Sequence, residues 1–293
     1  MINFFEKIAK LRINRKSNKF NRTSGQMPIL STEDDSERRT ILGMSNFQVI
    51  ESYKQLRTNV MFAMSAKDIN VVEFSSSFPG EGKSVTSANV AIAMAQTGVK
   101  VLLVDCDLRK STQHRIFSVE NKLGLSSVLG KMSSFEDVVH RNIIENLDLI
   151  TSGPVPPNPS ELIASNHMKD FMEKVQDQYD YVIVDTPPIN IVSDALELSK
   201  YIGGLVLVTR QGTTTYDDIK ASLNSAKFLD VNILGLVING IKENKFNGYT
   251  KYGKYGRYGK YGKYGKYGRY GKYDKYGAYS PYEKAEAAQT TDK

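Results

Sequence analysis

The sequence predicts an α/β fold, a doubly wound and mostly parallel sheet with helices on both faces. Three observations predict it. Largely apolar runs of strand length at residues 71–74, 100–107, 147–151, 181–185, 205–209 and 233–238 alternate with stretches of helical spacing such as 85–95 and 216–229. Strands that alternate with helices build a parallel sheet covered on both sides. The first run opens into a glycine-bearing loop, and two others end in aspartates, at the edge where open α/β sheets bind ligands.

At 293 residues, with 40% hydrophobic and 24% charged content, the chain can bury one good-sized core. The expected organisation is a basic N-terminal arm and linker (1–45), one α/β domain (46–242) and a tyrosine-rich basic tail (243–293). A single cysteine, Cys106, rules out a disulfide framework and suits a reducing cytosol. Nothing resembles a signal peptide, and no apolar run approaches the ~20 residues needed to cross a bilayer. Any membrane role is therefore expected to pass through a partner or a surface contact.

The arm places Phe4, Phe5, Ile8 and Leu11 among Lys7, Lys10, Arg12, Arg15 and Lys16. Such a segment can lie on an anionic membrane surface or remain a solvated, partly disordered arm. Over residues 46–66 apolar side chains recur at helical spacing, with Glu51, Lys54 and Arg57 three apart on one stripe. At that spacing Glu and Lys stabilise a helix by only ~0.2–0.5 kcal/mol, and such a stripe is usually a solvated face.

Residues 75–84 read Ser-Ser-Ser-Phe-Pro-Gly-Glu-Gly-Lys-Ser between a strand and an alanine-rich helix. Gly80 and Gly82 let successive backbone N–H groups turn inward at phosphate oxygens, and the helix adds the positive end of its dipole. Lys83 is placed to reach the β- and γ-phosphates and the Ser84 hydroxyl to hold Mg²⁺. Ser77 stands where the G-x-x-x-x-G-K-[ST] pattern has its first glycine. The plainer alternative is a glycine turn without a ligand.

The second strand ends in Asp105 and Asp107, which the period of two puts on one side of the strand end. They suggest a metal ligand and a base, although structural carboxylates at strand ends are common. The loop 153–159, Gly-Pro-Val-Pro-Pro-Asn-Pro, excludes helix or sheet interior, and Ser160 is expected to cap the helix that follows. Asp185 ends a third strand in a Walker B pattern that supports Mg²⁺.

The tail carries tyrosines at an unbroken period of three: Tyr249, Tyr252, Tyr255, Tyr258, Tyr261, Tyr264, Tyr267, Tyr270, Tyr273, Tyr276, Tyr279 and Tyr282. Between the first and last of them nine Lys or Arg face one Asp, so this stretch holds +8 of a chain whose net charge is +7. The remainder is thus not basic, and a pI near 9.1 is not a nucleic-acid signature of the globular part. Glycine-rich and without aliphatic residues, the tail is expected to be disordered. In a transient polyproline II conformation its phenols line up at about 9 Å spacing.

Taken in order, Ser-Ser-Phe-Pro-Gly-Glu-Gly-Lys-Ser, Val-Asp-Cys-Asp-Leu-Arg-Lys, Gly-Pro-Val-Pro-Pro-Asn-Pro-Ser-Glu-Leu and Val-Ile-Val-Asp-Thr-Pro-Pro, with the C-terminal tyrosine cluster, resemble the bacterial tyrosine kinases of capsule and exopolysaccharide synthesis. The resemblance covers residues 46–242 and the tail, and is to the Gram-positive arrangement, with the kinase on a separate chain from its transmembrane activator.

The resemblance implies a P-loop NTPase-like fold and an ATP- and Mg²⁺-dependent protein-tyrosine kinase that autophosphorylates its tyrosine cluster in trans and regulates polysaccharide synthesis and export. It implies nucleotide binding by Pro79, Gly80, Glu81, Gly82, Lys83, Ser84 and Val85, with Asn239 a candidate for reading adenine. Asp105 becomes the base for the incoming tyrosine, assisted by Lys83 and Asp107, while Ser84, Asp107 and Asp185 organise Mg²⁺. Glu51, Lys54 and Arg57 resemble the family's Glu-x-x-Arg-x-x-Arg oligomerisation motif, with Lys54 replacing a bidentate arginine. The implied partners are a transmembrane polysaccharide co-polymerase activator that recruits the cytoplasmic kinase to the membrane's inner face, further copies in a ring, and a phosphotyrosine phosphatase.

Two rivals stand beside this reading. Partition or division-site ATPases share the sheet and the Walker motifs but carry an early lysine in the loop where this chain has Phe78. A nucleic-acid- or membrane-binding module could use the basic tyrosine tail for stacking and phosphate contacts, but leaves the three aspartates unexplained.

Overall fold

A computed structural model describes residues 46–241 together with Thr40, Ile41 and Gly43. The expectations for the arm and for the tyrosine ladder lie outside the described residues. In chain order the elements are α1 (Phe47–Met64), β1 (Val71–Ser76), α2 (Lys83–Ala95), β2 (Val101–Asp105), α3 (Gln113–Ile116), α4 (Leu125–Leu129), α5 (Phe135–Val138), β3 (Val139–Ile144) and β4 (Leu147–Ile150). There follow α6 (Pro159–Ala164), α7 (Asn166–Gln178), β5 (Tyr181–Asp185), α8 (Asp194–Glu197) with a 3₁₀ turn over Leu198–Tyr201, β6 (Gly204–Arg210), α9 (Tyr216–Phe228) and β7 (Ile233–Asn239).

The strands form one sheet in the order β3-β4-β2-β5-β1-β6-β7. Every neighbouring pair is parallel except β3 on β4. The doubly wound, mostly parallel sheet expected from the alternation of strands and helices is therefore present. The antiparallel edge strand β3 was not expected, and its residues show why. His140, Arg141 and Asn142 interrupt any apolar run, and its register with β4 shifts between His140 and Ile144.

Side chains leave each buried strand alternately to the two faces, and two cores result. On one face Val71, Leu102 and Val104 pack with Met168, Phe171, Met172 and Val175 of α7. On the other, Val72, Phe74, Val101 and Leu103 pack against Ala88, Ala91 and Met94 of α2 and Val60 and Met64 of α1. Alanine suits α2 because it is buried from Thr86 to Ala95, between the sheet and α1. Asn46 starts α1, its side chain accepting from the amides of Gln48 and Val49.

The helix after the proline-rich loop starts two residues earlier than expected. Asn158 holds the N-cap position and Pro159 the first turn, without a side-chain cap bond. Proline's fixed φ and missing N–H favour that first position. Ser160 is instead inside α6, and its hydroxyl donates to Asp194 Oδ1 at 2.7 Å. Among the described residues no helix is long and apolar enough to cross a membrane.

Candidate active site

Because β4, β2, β5, β1, β6 and β7 are parallel neighbours, their following loops gather at one edge of the sheet. The loop after β1 turns through Gly80 (φ +84°) and Gly82 (φ +97°), a region only glycine enters without strain. Gly82 is the N-cap of α2, and no side chain caps that terminus. The first N–H groups of a helix lack intrahelical acceptors, so this turn presents donors and a positive dipole end to an anion.

Glu81 fixes the loop rather than facing solvent. Its Oε2 accepts from Phe78 N at 3.0 Å, its Oε1 accepts from Thr214 Oγ1 in a short bond, and its carbonyl accepts from Asn239 Nδ2 at 2.9 Å. Asn239 thus lies on the phosphate loop itself, with a second contact to Thr86 Oγ1 at 3.3 Å. Ser77, at the position of the missing glycine, shares a hydrogen bond of 2.8 Å with Ser222 Oγ of α9.

Lys83, Ser84, Asp107 and Asp185 come together. Lys83 Nζ lies 2.9 Å from Asp107 Oδ2, 3.4 Å from Asp185 Oδ1 and 3.2 Å from Ser84 Oγ. Burial alone lowers a lysine pKa, but the Asp185 and Asp107 carboxylates outweigh it and hold Lys83 protonated well above its ordinary range.

Asp105 is the register partner of Asp185 across β2 and β5, and both are fully buried. Three backbone amides hold it: Asp107 N donates to Oδ1 at 3.2 Å, and Thr112 N and Gln113 N donate to Oδ2 at 2.9 and 3.0 Å. Burial, and then the charge of Asp185, push the Asp105 carboxyl up to about 7 against those amide bonds. Asp185 is also raised, chiefly by burial, with Lys83 acting in the opposite direction.

No group of three or more His, Cys, Asp or Glu among the described residues is arranged to hold a metal by itself. Two carboxylates and one hydroxyl nevertheless fit Mg²⁺, which keeps several waters and takes phosphate oxygens to complete its shell. The uncapped α2 terminus and the protonated Lys83 fit the polyphosphate of a nucleotide.

Sequence reasoning missed two polar networks. Arg109, after β2, forms a fork on Asp194 (Nε to Oδ2 2.8 Å, Nη2 to Oδ1 3.1 Å) and reaches Ser160 Oγ at 2.7 Å. It thereby joins the loops after β2, β4 and β5; the Asp-Leu-Arg-Lys run and the Pro-Ser-Glu run were visible, but not their contact. Gln113, fully buried at the start of α3, touches α2, Asp105 and Asp185 together. Nothing in the sequence singles out this glutamine.

The stripe on α1 lies elsewhere. Glu51 pairs with Lys54 at 2.8 Å, both half exposed, whereas Arg57 Nη1 donates to Ala93 O near the end of α2 at 3.2 Å.

The sheet order and the loops at its carboxyl edge define the class: this is a P-loop NTPase-like protein. A family model described as an AAA domain matches residues 69–211. The chain is 42% identical over 210 residues to the tyrosine-protein kinase YwqD of Bacillus subtilis (strain 168), a match covering 71% of this chain and 89% of that one. Among solved structures, the kinase domain of the Escherichia coli tyrosine kinase ETK is similar with a TM-score of 0.64 at 38% identity, covering 66% of this chain and 75% of that chain. The chimerical protein CapA2B2 is similar with a TM-score of 0.62 at 41% identity, covering 64% and 83%. The chain belongs to the bacterial tyrosine kinases, and the enzyme is a protein-tyrosine kinase.

Proposed function

We propose that this kinase transfers the γ-phosphoryl group of ATP, with Mg²⁺, to the tyrosines of its own tail, between copies, and so regulates capsular or exopolysaccharide synthesis and export. The observation that carries the reading is the convergence of Lys83, Ser84, Asp107 and Asp185 at the mouth of the glycine loop, with Asp105 directly behind. Bound Mg²⁺ supplies charge neutralisation on the transferring phosphoryl group.

The chain's own residues supply the rest. Backbone donors of residues 79–85 hold the phosphates, Lys83 exchanges its carboxylate contacts for phosphate oxygens, and Ser84, Asp107 and Asp185 hold the metal. The tyrosine oxygen forms the new P–O bond as the bond to the ADP oxygen breaks, and the phenolic proton passes to Asp105. A phenol with pKa ~10 needs such an acceptor, and burial raises the Asp105 carboxyl above its ordinary range, toward that of its proton donor. Three amides orient the Asp105 carboxylate, two on Oδ2 and one on Oδ1, which leaves acceptor capacity on Oδ1. Asn239, whose Nδ2 is bonded to the phosphate loop, stays in this reading as the candidate for the adenine.

Each phosphotyrosine adds about −1.5 to −2 charges, so four or five cancel the tail's +8. We place the tail as an electrostatic switch that draws subunits together before modification and separates them after it. Glu51, Lys54 and Arg57 contribute to the ring, a transmembrane polysaccharide co-polymerase activator brings the kinase to the membrane's inner face, and a phosphatase resets it.

Intact-mass spectrometry after incubation with Mg²⁺ and ATP, with and without the activator's cytoplasmic segment, tests this reading. A ladder of phosphate additions on the tail, absent in Lys83→Met and Asp105→Asn, is expected. ATP hydrolysis without covalent phosphate would support a partition-type ATPase instead.

A further inference from the structure

Asp105 and Asp185 occupy the ends of adjacent strands in direct register, and neither touches water. Lys83 answers the charge of Asp107 and of Asp185 Oδ1, and backbone amides answer most of that on Asp105. Asp185 Oδ2 is answered by a side chain, the amide of Gln113, whose Nε2 lies 2.8 Å away.

Gln113 reaches four groups from one position. Its backbone N–H donates to Asp105 Oδ2 at 3.0 Å, and its Nε2 faces Ser84 O and Ser87 Oγ of α2, each at 3.1 Å, besides Asp185. The orientation of the amide is determined by these neighbours. Ser84 O and the Asp185 carboxylate can only accept, and the Ser87 hydroxyl donates its own proton to Ser84 O at 3.0 Å, so NH₂ must face all three.

That orientation has a cost. The Oε1 of Gln113 is buried with no hydrogen-bond partner among the described residues. Gln113 leaves one acceptor unsatisfied while its NH₂ faces three groups, one of them a buried carboxylate, so its place in the fold is set by what it gives to Asp185 and to the Ser84 end of α2.

We propose that Gln113 is a positioning residue for the metal site: it fixes Asp185 through Oδ2, ties that carboxylate to the Ser84 end of α2, and leaves Oδ1 directed at the Lys83 side. The inference rests on the reading of Ser84, Asp107 and Asp185 as the Mg²⁺ site. Outer-shell donors to ligating carboxylates set ligand orientation, and their loss lowers metal affinity about 10- to 100-fold. Gln113 thus couples three elements that must keep register, the phosphate-loop helix, the end of β2 and the end of β5.

The test is binding of a fluorescent ADP analogue to the full chain as a function of Mg²⁺, alongside the thermal midpoint, for wild type, Gln113→Met, Gln113→Leu and Asp185→Asn. The two apolar variants are expected to unfold somewhat below the wild-type temperature, because Asp185 Oδ2 loses a buried donor. They should need about tenfold more Mg²⁺ for half-maximal nucleotide tightening, with metal-free nucleotide affinity changed less than about twofold. An unchanged Mg²⁺ requirement in whichever apolar variant retains the wild-type far-UV spectrum overturns the proposal. Equal weakening with and without Mg²⁺ overturns it too, since that is the signature of a merely structural role. If wild type and Asp185→Asn respond identically to Mg²⁺, the metal-site reading fails and the inference with it. A Mg²⁺ response lost in Asp185→Asn but intact in both apolar variants refutes the role of Gln113 alone.

Discussion

Asp105 and Asp185 stand opposite one another at the ends of β2 and β5, two fully buried carboxylates in direct register. Burial raises the pKa of both, and the charge of Asp185 raises that of Asp105 further. The fold tolerates the pair because Lys83, Gln113 and three backbone amides surround it. The site is thereby arranged around negative charge awaiting cations, and this leads to predictions away from the chemistry as well as at it.

Glu73 is another buried carboxyl, in the middle of β1, and its Oε1 accepts from Thr186 Oγ1 at 2.7 Å. Burial pushes it up to about 8, against the lowering effect of that bond. The native state therefore keeps a proton that the unfolded chain releases near its ordinary value of 4.5. The stability this gives is complete below the unfolded value and is lost as pH rises through about 8. Glu73→Gln should flatten that slope and gain on wild type by on the order of a few kcal/mol between pH 5 and pH 9. Urea unfolding at the two pH values measures it; parallel behaviour of the two proteins would show that Glu73 holds no proton.

Gly80 and Gly82 both have positive φ, yet a Cβ at Gly80 meets nothing within 4 Å whereas one at Gly82 falls 2.4 Å from Asn239 Nδ2. Gly80→Ala should cost about 1–2 kcal/mol of backbone strain. Gly82→Ala should cost more, because Asn239 must also give up its bond to Glu81 O. Adding Asn239→Ala to Gly82→Ala should return about 0.5 kcal/mol or more relative to additivity. Denaturant midpoints of the single and double variants decide it, and strict additivity would mean that the two residues do not meet.

Asp194 is buried, and its carboxylate depends on the Arg109 fork and on Ser160. Arg109→Ala should cost about 1–3 kcal/mol. Arg109→Lys should recover only part, because an ammonium cannot span both oxygens. Hydrogen exchange should quicken in residues 153–160 and 186–194 while β1 and β5 stay protected. Uniform loss of protection across the sheet would show a general destabilisation instead of an untied set of loops.

Much of this was legible in the chain. The sheet could be read because each central strand is a short apolar run followed by a helical stretch, and Lys83, Ser84 and Asp185 could be located because their neighbours are diagnostic residue types. β3 escaped because its polar residues and shifted register suit an exposed edge. The start of α6 was misplaced by two positions because Ser160 looks like a cap, while Pro159 takes the first turn and the serine turns toward Asp194. Gln113 was invisible because a glutamine carries no sign of burial. The partner of Arg57 was equally hidden, since a carbonyl near a helix end, here Ala93 O, has no side-chain signature.

Phosphorylation between copies is best tested by mixing two full-length variants. One has all twelve tail tyrosines changed to phenylalanine and keeps its catalytic residues; the other is Lys83→Met with its tail intact. With Mg²⁺, ATP and the activator's cytoplasmic segment, phosphate should accumulate on the tail of the Lys83→Met chain and on neither variant incubated alone. If wild type gains phosphate under the same conditions and the mixture does not, transfer occurs within one chain and the assembly of active site and tail proposed here is wrong.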